Sequence, residues 1–181
     1  VIDAMFRQVN STETKVYKQH SLPGKVYASE YDLGQMNYAY SDTDYINIKG
    51  TTFPAWNKGY KKRNDGVDIE VCTDKITNGY QVSFIEDGEY IQFTFHLKKA
   101  ETFDIDIRFA SETAGGILYL ENEGGIISEK ITIPSSGGFT KWKTITLKKV
   151  KFNQGINKVK VQFEKGGFNL NYFDFKAVTS K

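Results

Sequence analysis

From residue 80 onward the chain alternates apolar and polar residues, and the alternation breaks mainly at glycine-centred turns. Ile91, Phe93, Phe95 and Leu97 fall on one side of a pleated strand, with Gln92, Thr94 and His96 on the other. Phe103, Ile105, Ile107 and Phe109 repeat the pattern against Asp104, Asp106 and Arg108. Further runs of the same kind cover 116–121, 130–133, 142–147, 158–163 and 170–178. A period of two places one face in a core and leaves the other to water or to a second layer. Turn signals separate the runs: Glu86-Asp87-Gly88, Ala114-Gly115-Gly116, Glu123-Gly124-Gly125, Ser136-Gly137-Gly138 and Gly166-Gly167. Many short strands, glycine turns and no helical period predict an all-β domain of two packed antiparallel sheets.

The first half is less regular. Residues 26–31 and 67–72 read as strands, and between them residues 32–66 form a long stretch rich in Tyr, Asn, Asp, Gly and Thr. A loop of that length inside a compact domain is usually functional. Residues 1–20 read as an N-terminal tail, linker or first strand, and 21–181 as the β-sandwich domain. At 181 residues the chain is long enough to bury a real core. Its 13 Phe, 11 Tyr and 2 Trp supply the rings to fill one.

Composition excludes several classes of function. With 24 Lys+Arg against 22 Asp+Glu there is no basic field of the kind that holds nucleic acid. The one basic run, residues 58–63, reads as a solvated loop. No apolar run is long enough to cross a membrane. The chain begins at Val1 and reads as an excised portion of a longer protein, so the lack of a signal peptide says little about location. A single cysteine, Cys72, permits no intrachain disulfide and reads as a buried, inert thiol. His20 and His96 stand far apart without zinc-site spacing. No nucleophile elbow is present. Glu86 and Glu89 flank one turn, so a small glycosidase using these carboxylates is the catalytic alternative, although turn neighbours seldom oppose each other across a cleft.

What remains is a recurrence of rings and polar groups beside turns. Phe84 precedes Glu86-Asp87-Gly88, Phe139 follows Gly137-Gly138, Glu70 closes Gly66-Val67-Asp68-Ile69-Glu70, and Asn169 follows Gly166-Gly167. Pattern alone leaves two readings open. Either Phe84 and Phe139 are core residues, which the pattern favours, or the four meet at one end of the sandwich, two rings flanking a flat ligand while carboxylate and amide bind its hydroxyls.

These segments carry a family likeness. Pro23-Gly24-Lys25-Val26, Ala39-Tyr40-Ser41-Asp42-Thr43-Asp44, Gly66-Val67-Asp68-Ile69-Glu70, Ile85-Glu86-Asp87-Gly88-Glu89-Tyr90, Gly137-Gly138-Phe139-Thr140-Lys141-Trp142 and Gly167-Phe168-Asn169-Leu170-Asn171 resemble a family 6 carbohydrate-binding module. Such modules are appended to marine polysaccharide-degrading glycoside hydrolases such as laminarinases and agarases. The resemblance implies a β-sandwich jelly roll with no catalytic residues and a sugar site in the loops at one end. Phe84 and Phe139 then match the rings that sandwich a pyranose at a chain end, and Glu70 and Asn169 match the groups that bind its hydroxyls. The second ring is most often tryptophan in relatives, so Phe139 is a departure.

Relatives also show an early acidic pair serving a structural calcium. The matching positions here are Tyr27 and Ser29, with Glu30 one place beyond, and Asn171 stands where many relatives have Asp. Hard oxygen ligands are thus depleted, so no cofactor is required and backbone carbonyls would keep at most a weak calcium site. Residues 38–60 resemble the extended loop of modules joined to agarases and laminarinases. Tyr40 and Trp56 are therefore added as candidate sugar contacts, alongside Tyr38 and Tyr60; the alternative is that these rings cover the sandwich as a hydrophobic lid, the safer reading for Tyr40. The resemblance implies a secreted or cell-surface bacterial module, monomeric, covalently linked to a catalytic glycoside hydrolase domain. Its expected ligand is a polysaccharide, a β-1,3-glucan such as laminarin ahead of agarose. Neither nucleic acid nor membrane is among the expected partners.

Overall fold

The computed structural model describes residues 12–43, 57–63 and 65–178. Twelve strands account for its regular structure: β1 (Gly24–Tyr27), β2 (Tyr40–Ser41), β3 (Ile69–Val71), β4 (Tyr80–Val82), β5 (Glu89–Leu97), β6 (Glu101–Ser111), β7 (Gly116–Asn122), β8 (Gly125–Ile126), β9 (Ile131–Ile133), β10 (Gly138–Phe152), β11 (Gly155–Lys165) and β12 (Asn169–Ala177). One sheet runs β10-β6-β12-β4-β3, with β1 also paired to β12. The other runs β2-β5-β11-β7-β8, with β9 paired to β7. Every pairing within the sheets is antiparallel. The architecture is the all-β sandwich that the alternation predicts.

The inward faces meet in a ring-rich core. Phe95 lies edge-on to Phe175 with centroids 5.4 Å apart, and Phe103 to Phe152 at 5.6 Å. Edge-to-face pairs of this kind add about 0.5–1.5 kcal/mol beyond area burial. Nine of the eleven described phenylalanines are buried; the two exposed ones are Phe84 and Phe139.

The first half differs from its expected form. The strand expected over 26–31 ends at Tyr27, and Ala28–Glu30 turn into a short 3-10 segment with all three residues buried. Consecutive burial cannot follow a period of two, so the chain must leave the sheet there. The described part of the N-terminal stretch packs on the sandwich: Lys15 bridges Leu33, and His20 is buried. The basic run is solvated only in part, with Tyr60 and Lys61 exposed. Arg63 is buried, its guanidinium 3.5 Å from the Tyr31 ring centroid, donating to the Tyr31 and Asp32 carbonyls and paired with Asp65.

A part-buried ion pair lies beside β12. Arg108 grips Asp74 through Nε–Oδ2 (2.7 Å) and Nη2–Oδ1 (2.9 Å), and Asn171 Nδ2 donates to the same carboxylate at 2.9 Å. Burial alone would push this carboxyl up, but hydrogen bonds from Arg108 and Asn171 prevail and hold it below the usual range. Asp74→Asn should therefore cost about 1–2 kcal/mol at neutral pH. A depressed native pKa stabilises fully above the unfolded value near about 4 and is lost as pH falls through the native one. Melting curves of wild type and Asp74→Asn should accordingly converge as pH drops below about 4.

Candidate functional site

Three connections meet at one end of the sandwich. Phe84 projects from the turn between β4 and β5, with its backbone at φ +52° and its side chain 47 % exposed. A left-handed backbone is costly for a bulky residue, and such strain concentrates where a side chain has to be aimed. Phe139 is 45 % exposed and stands in an irregularity of β10. Gly138 pairs with Ser111 and Trp142 with Ala110, so three residues loop out of the ladder and carry the ring away from it. Asn169 opens β12, and its Nδ2 donates to the Phe139 carbonyl at 3.2 Å. Glu70 lies on β3 opposite Gln81.

Together Glu70, Phe84, Phe139 and Asn169 line a cleft of about 310 Å3, floored by Ile85, Gly167 and Phe168. The structure thus brings together the four residues that sequence left divided between a core reading and a clamp. Its chemistry is two exposed phenyl rings lining one cleft with a carboxylate and an amide, suited to a small, flat, hydroxylated ligand. A hollow of about 460 Å3 lined by Lys99, Glu101, Lys151 and Asn153 offers no exposed ring.

Several residues that hold this rim carry no signal in the sequence pattern. Ser136 Oγ accepts from the Ser111 amide (2.8 Å) and lies 3.0 Å from the Ser111 carbonyl, fixing the Gly137-Gly138 turn to β6. Ser111 Oγ in turn donates to the Gly167 carbonyl at 3.0 Å. Lys58 reaches Glu86 (3.4 Å) and Asp68 (3.8 Å) with its ammonium 5.7 Å from the Phe84 ring centroid. Gly59 packs so tightly on β3 that a Cβ would stand 1.8 Å from the Ile69 carbonyl oxygen and 2.9 Å from Glu70 Cγ. Only the glycine signals that close approach in sequence.

Other expectations need correcting. Tyr40 is 5 % exposed, edge-on to Tyr31 at 5.9 Å, and its ring covers Gly66, so it is a core residue and not a sugar contact. Trp56 lies outside the described residues. Tyr38 is exposed but lines a different hollow with Gln92, Glu121, Lys158 and Lys160. Glu86 and Glu89 do not face each other across open space. Both reach the Thr43 hydroxyl, at 2.5 and 3.0 Å, and Glu89, itself buried, also accepts from the Thr43 and Glu86 amides. Burial pushes the Glu89 carboxyl up despite those bonds. The pair is a clasp around Thr43, leaving no gap for a glycosidic oxygen.

The implied calcium fits this chain poorly. The Tyr27 ring packs edge-on to Tyr172 at 6.0 Å, and Ser29 Oγ is met by Lys62 Nζ at 3.1 Å and Asn78 Nδ2 at 3.2 Å. Asn171 spends its amide nitrogen on Asp74 and on the Ile76 carbonyl (2.8 Å). Two buried oxygens there lack donors, Asn171 Oδ1 and Glu30 Oε2, and His20 Nε2 faces the latter at 3.8 Å. Calcium takes six to eight oxygens. Among the described residues no three His, Cys, Asp or Glu side chains converge on a metal position.

Comparison with known proteins places the fold in a family. The sequence model of the carbohydrate binding module (family 6) matches residues 60–177. The module of Cellvibrio mixtus lichenase 5A, solved in complex with cellotriose, is 27 % identical with a TM-score of 0.56, covering 63 % of this chain and 88 % of that one. A β-1,3-glucan binding module from Bacillus halodurans shares the fold at 20 % identity and TM-score 0.61, covering 88 % of this chain and all of that one. The clotting factor G alpha subunit of Tachypleus tridentatus is 28 % identical over 114 residues, which is 62 % of this chain but only 17 % of that protein's length. With the match covering most of its length, the chain belongs to the family 6 carbohydrate-binding modules, non-catalytic domains that bind sugars.

Proposed function

We propose that this module holds the end of a neutral β-1,3-glucan chain by clamping one pyranose between Phe84 and Phe139. Glu70 and Asn169 bind the hydroxyls of that sugar, and an attached glycoside hydrolase is thereby kept near its polymer. The observation that carries the reading is the exception these two rings make: the fold buries every other described phenylalanine. The preference for a β-1,3-glucan draws on the likeness of residues 38–60 to the loop of laminarinase-linked modules. The cellotriose held by the Cellvibrio module supports a glucose polymer in general. On this reading the protein is monomeric, bacterial, and secreted or cell-surface.

Affinity for a single chain is modest, about 4–8 kcal/mol, or micromolar to millimolar. Tethering to an enzyme on a multichain surface raises effective binding without new contacts. Glu70→Gln keeps the shape and removes the charge, so it should weaken binding by about 1 kcal/mol. An oligosaccharide array followed by calorimetry tests the assignment, with laminari-oligosaccharides expected to bind and none to be cleaved. Preference for agaro-oligosaccharides would move the ligand and keep the site. Failure to bind any neutral glycan, or release of reducing sugar, would overturn the proposal.

A further inference from the structure

The position beside Ser29 is filled by the chain's own cation. Ser29 is wholly buried, and its hydroxyl receives both the Lys62 ammonium (3.1 Å) and the Asn78 amide (3.2 Å). Glu30 Oε1, one residue on, receives Lys18 Nζ at 2.8 Å and the same Asn78 amide at 3.3 Å. Nitrogen donors therefore engage Ser29 Oγ and Glu30 Oε1. The two buried oxygens without a donor, Glu30 Oε2 and Asn171 Oδ1, fall far short of the six to eight that calcium takes. Charge argues the same way. Lys18 and Lys62 already outnumber Glu30 there, and a divalent cation would meet them in a partly buried place, where repulsion is poorly screened.

We propose that the Lys62 ammonium takes the structural place of the family's calcium, making this module independent of metal and Lys62 its internal staple. The local backbone serves that role. Lys62 sits at φ +59°, a left-handed conformation uncommon for a residue with a Cβ. Its ammonium lies 5.2 Å from the Tyr80 ring centroid and 5.7 Å from that of Tyr17, so two aromatic faces flank the charge. Through this contact the segment bearing Lys58 and Gly59 is fastened to the 3-10 turn, while Gly59 presses on β3 beside Glu70. The staple thus braces one wall of the candidate cleft from behind, as a positioning residue.

Thermal unfolding of the full chain tests this without any sugar, so its outcome is separate from that of the ligand assignment. Wild type should melt at the same temperature, within about 1 °C, in EDTA and in millimolar calcium, and calorimetric titration with calcium should give no saturable heat. Lys62→Gln should melt about 3–6 °C lower in both buffers, with Lys62→Arg recovering part of the loss. A fall of several degrees in wild-type melting temperature on adding EDTA, restored by calcium, would overturn the proposal even if Lys62→Gln failed to fold. So would a Lys62→Gln protein that melts like wild type.

Discussion

Phe139→Ala is expected to weaken glucan binding by about 10- to 100-fold while leaving the melting temperature nearly unchanged. The ring is about half exposed and lines an open cleft, so its removal widens that cleft and opens no enclosed cavity. Against a bound pyranose it would bury most of its remaining face, and burial of a phenyl side chain contributes about 1.5–3 kcal/mol. At millimolar-to-micromolar starting affinity, that loss moves the titration out of the measurable range for short oligosaccharides. Phe139→Trp should do the reverse, because the larger face and the indole N–H add area and a donor. Isothermal titration of both variants beside wild type decides the matter. Unchanged affinity in Phe139→Ala would remove the clamp from the mechanism. Phe84→Ala is a less direct probe, since about half of Phe84 is covered by the protein and its removal also changes the cleft wall it shares with Ile85.

The contrast between Phe84, Phe139 and Tyr40 shows where sequence pattern stops being informative. The strands of the second half are legible because one-sided burial imposes a period of two, and β5, β6, β7, β11 and β12 match the expected runs closely. β10 is longer than the expected 142–147, for its register shifts at Gly138/Trp142 and Leu147/Val150 scramble the alternation that a periodicity argument needs. Tyr40 and Arg63 depart from expectation for a different reason. Each is buried by partners some 9 to 32 residues away, Tyr31 among them, and no local pattern records a contact across that distance. The four cleft residues are legible only through a family likeness; the alternation itself favours a core role for both rings. Their exposure follows from a left-handed turn at Phe84 and a looped-out segment at Phe139, and neither leaves a periodic trace.

Gly166→Ala should damage fold and site together, and the neighbouring Gly167→Ala far less, although the two glycines look alike in sequence. A Cβ on Gly166 would stand 2.0 Å from the Ile85 carbonyl oxygen, 2.6 Å from its carbon and 2.7 Å from Glu86 Cα. All three are backbone atoms, so no rotamer change relieves the clash, and the two segments must part by about an ångström or more. That separation would strain or break the bonds that join them, Gly167 N–H to Ile85 O at 2.9 Å and Gly166 N–H to Asp87 Oδ1 at 2.8 Å. Overpacking costs about 1–3 kcal/mol and each lost bond about 1 kcal/mol more, so a total of about 3–5 kcal/mol is expected. For a domain of this size that is a fall of roughly 6–20 °C in melting temperature. Because one segment carries Phe84 and the other Asn169, glucan affinity should fall with it. Gly167, by contrast, sits at φ +86° in open space, with nothing within 4 Å of the methyl group that alanine would add. Alanine there incurs only the left-handed penalty of about 1–2 kcal/mol. Melting curves and glucan titrations of the two variants side by side separate close approach from conformational freedom; equal losses would mean that the contact between these segments does not organise the cleft.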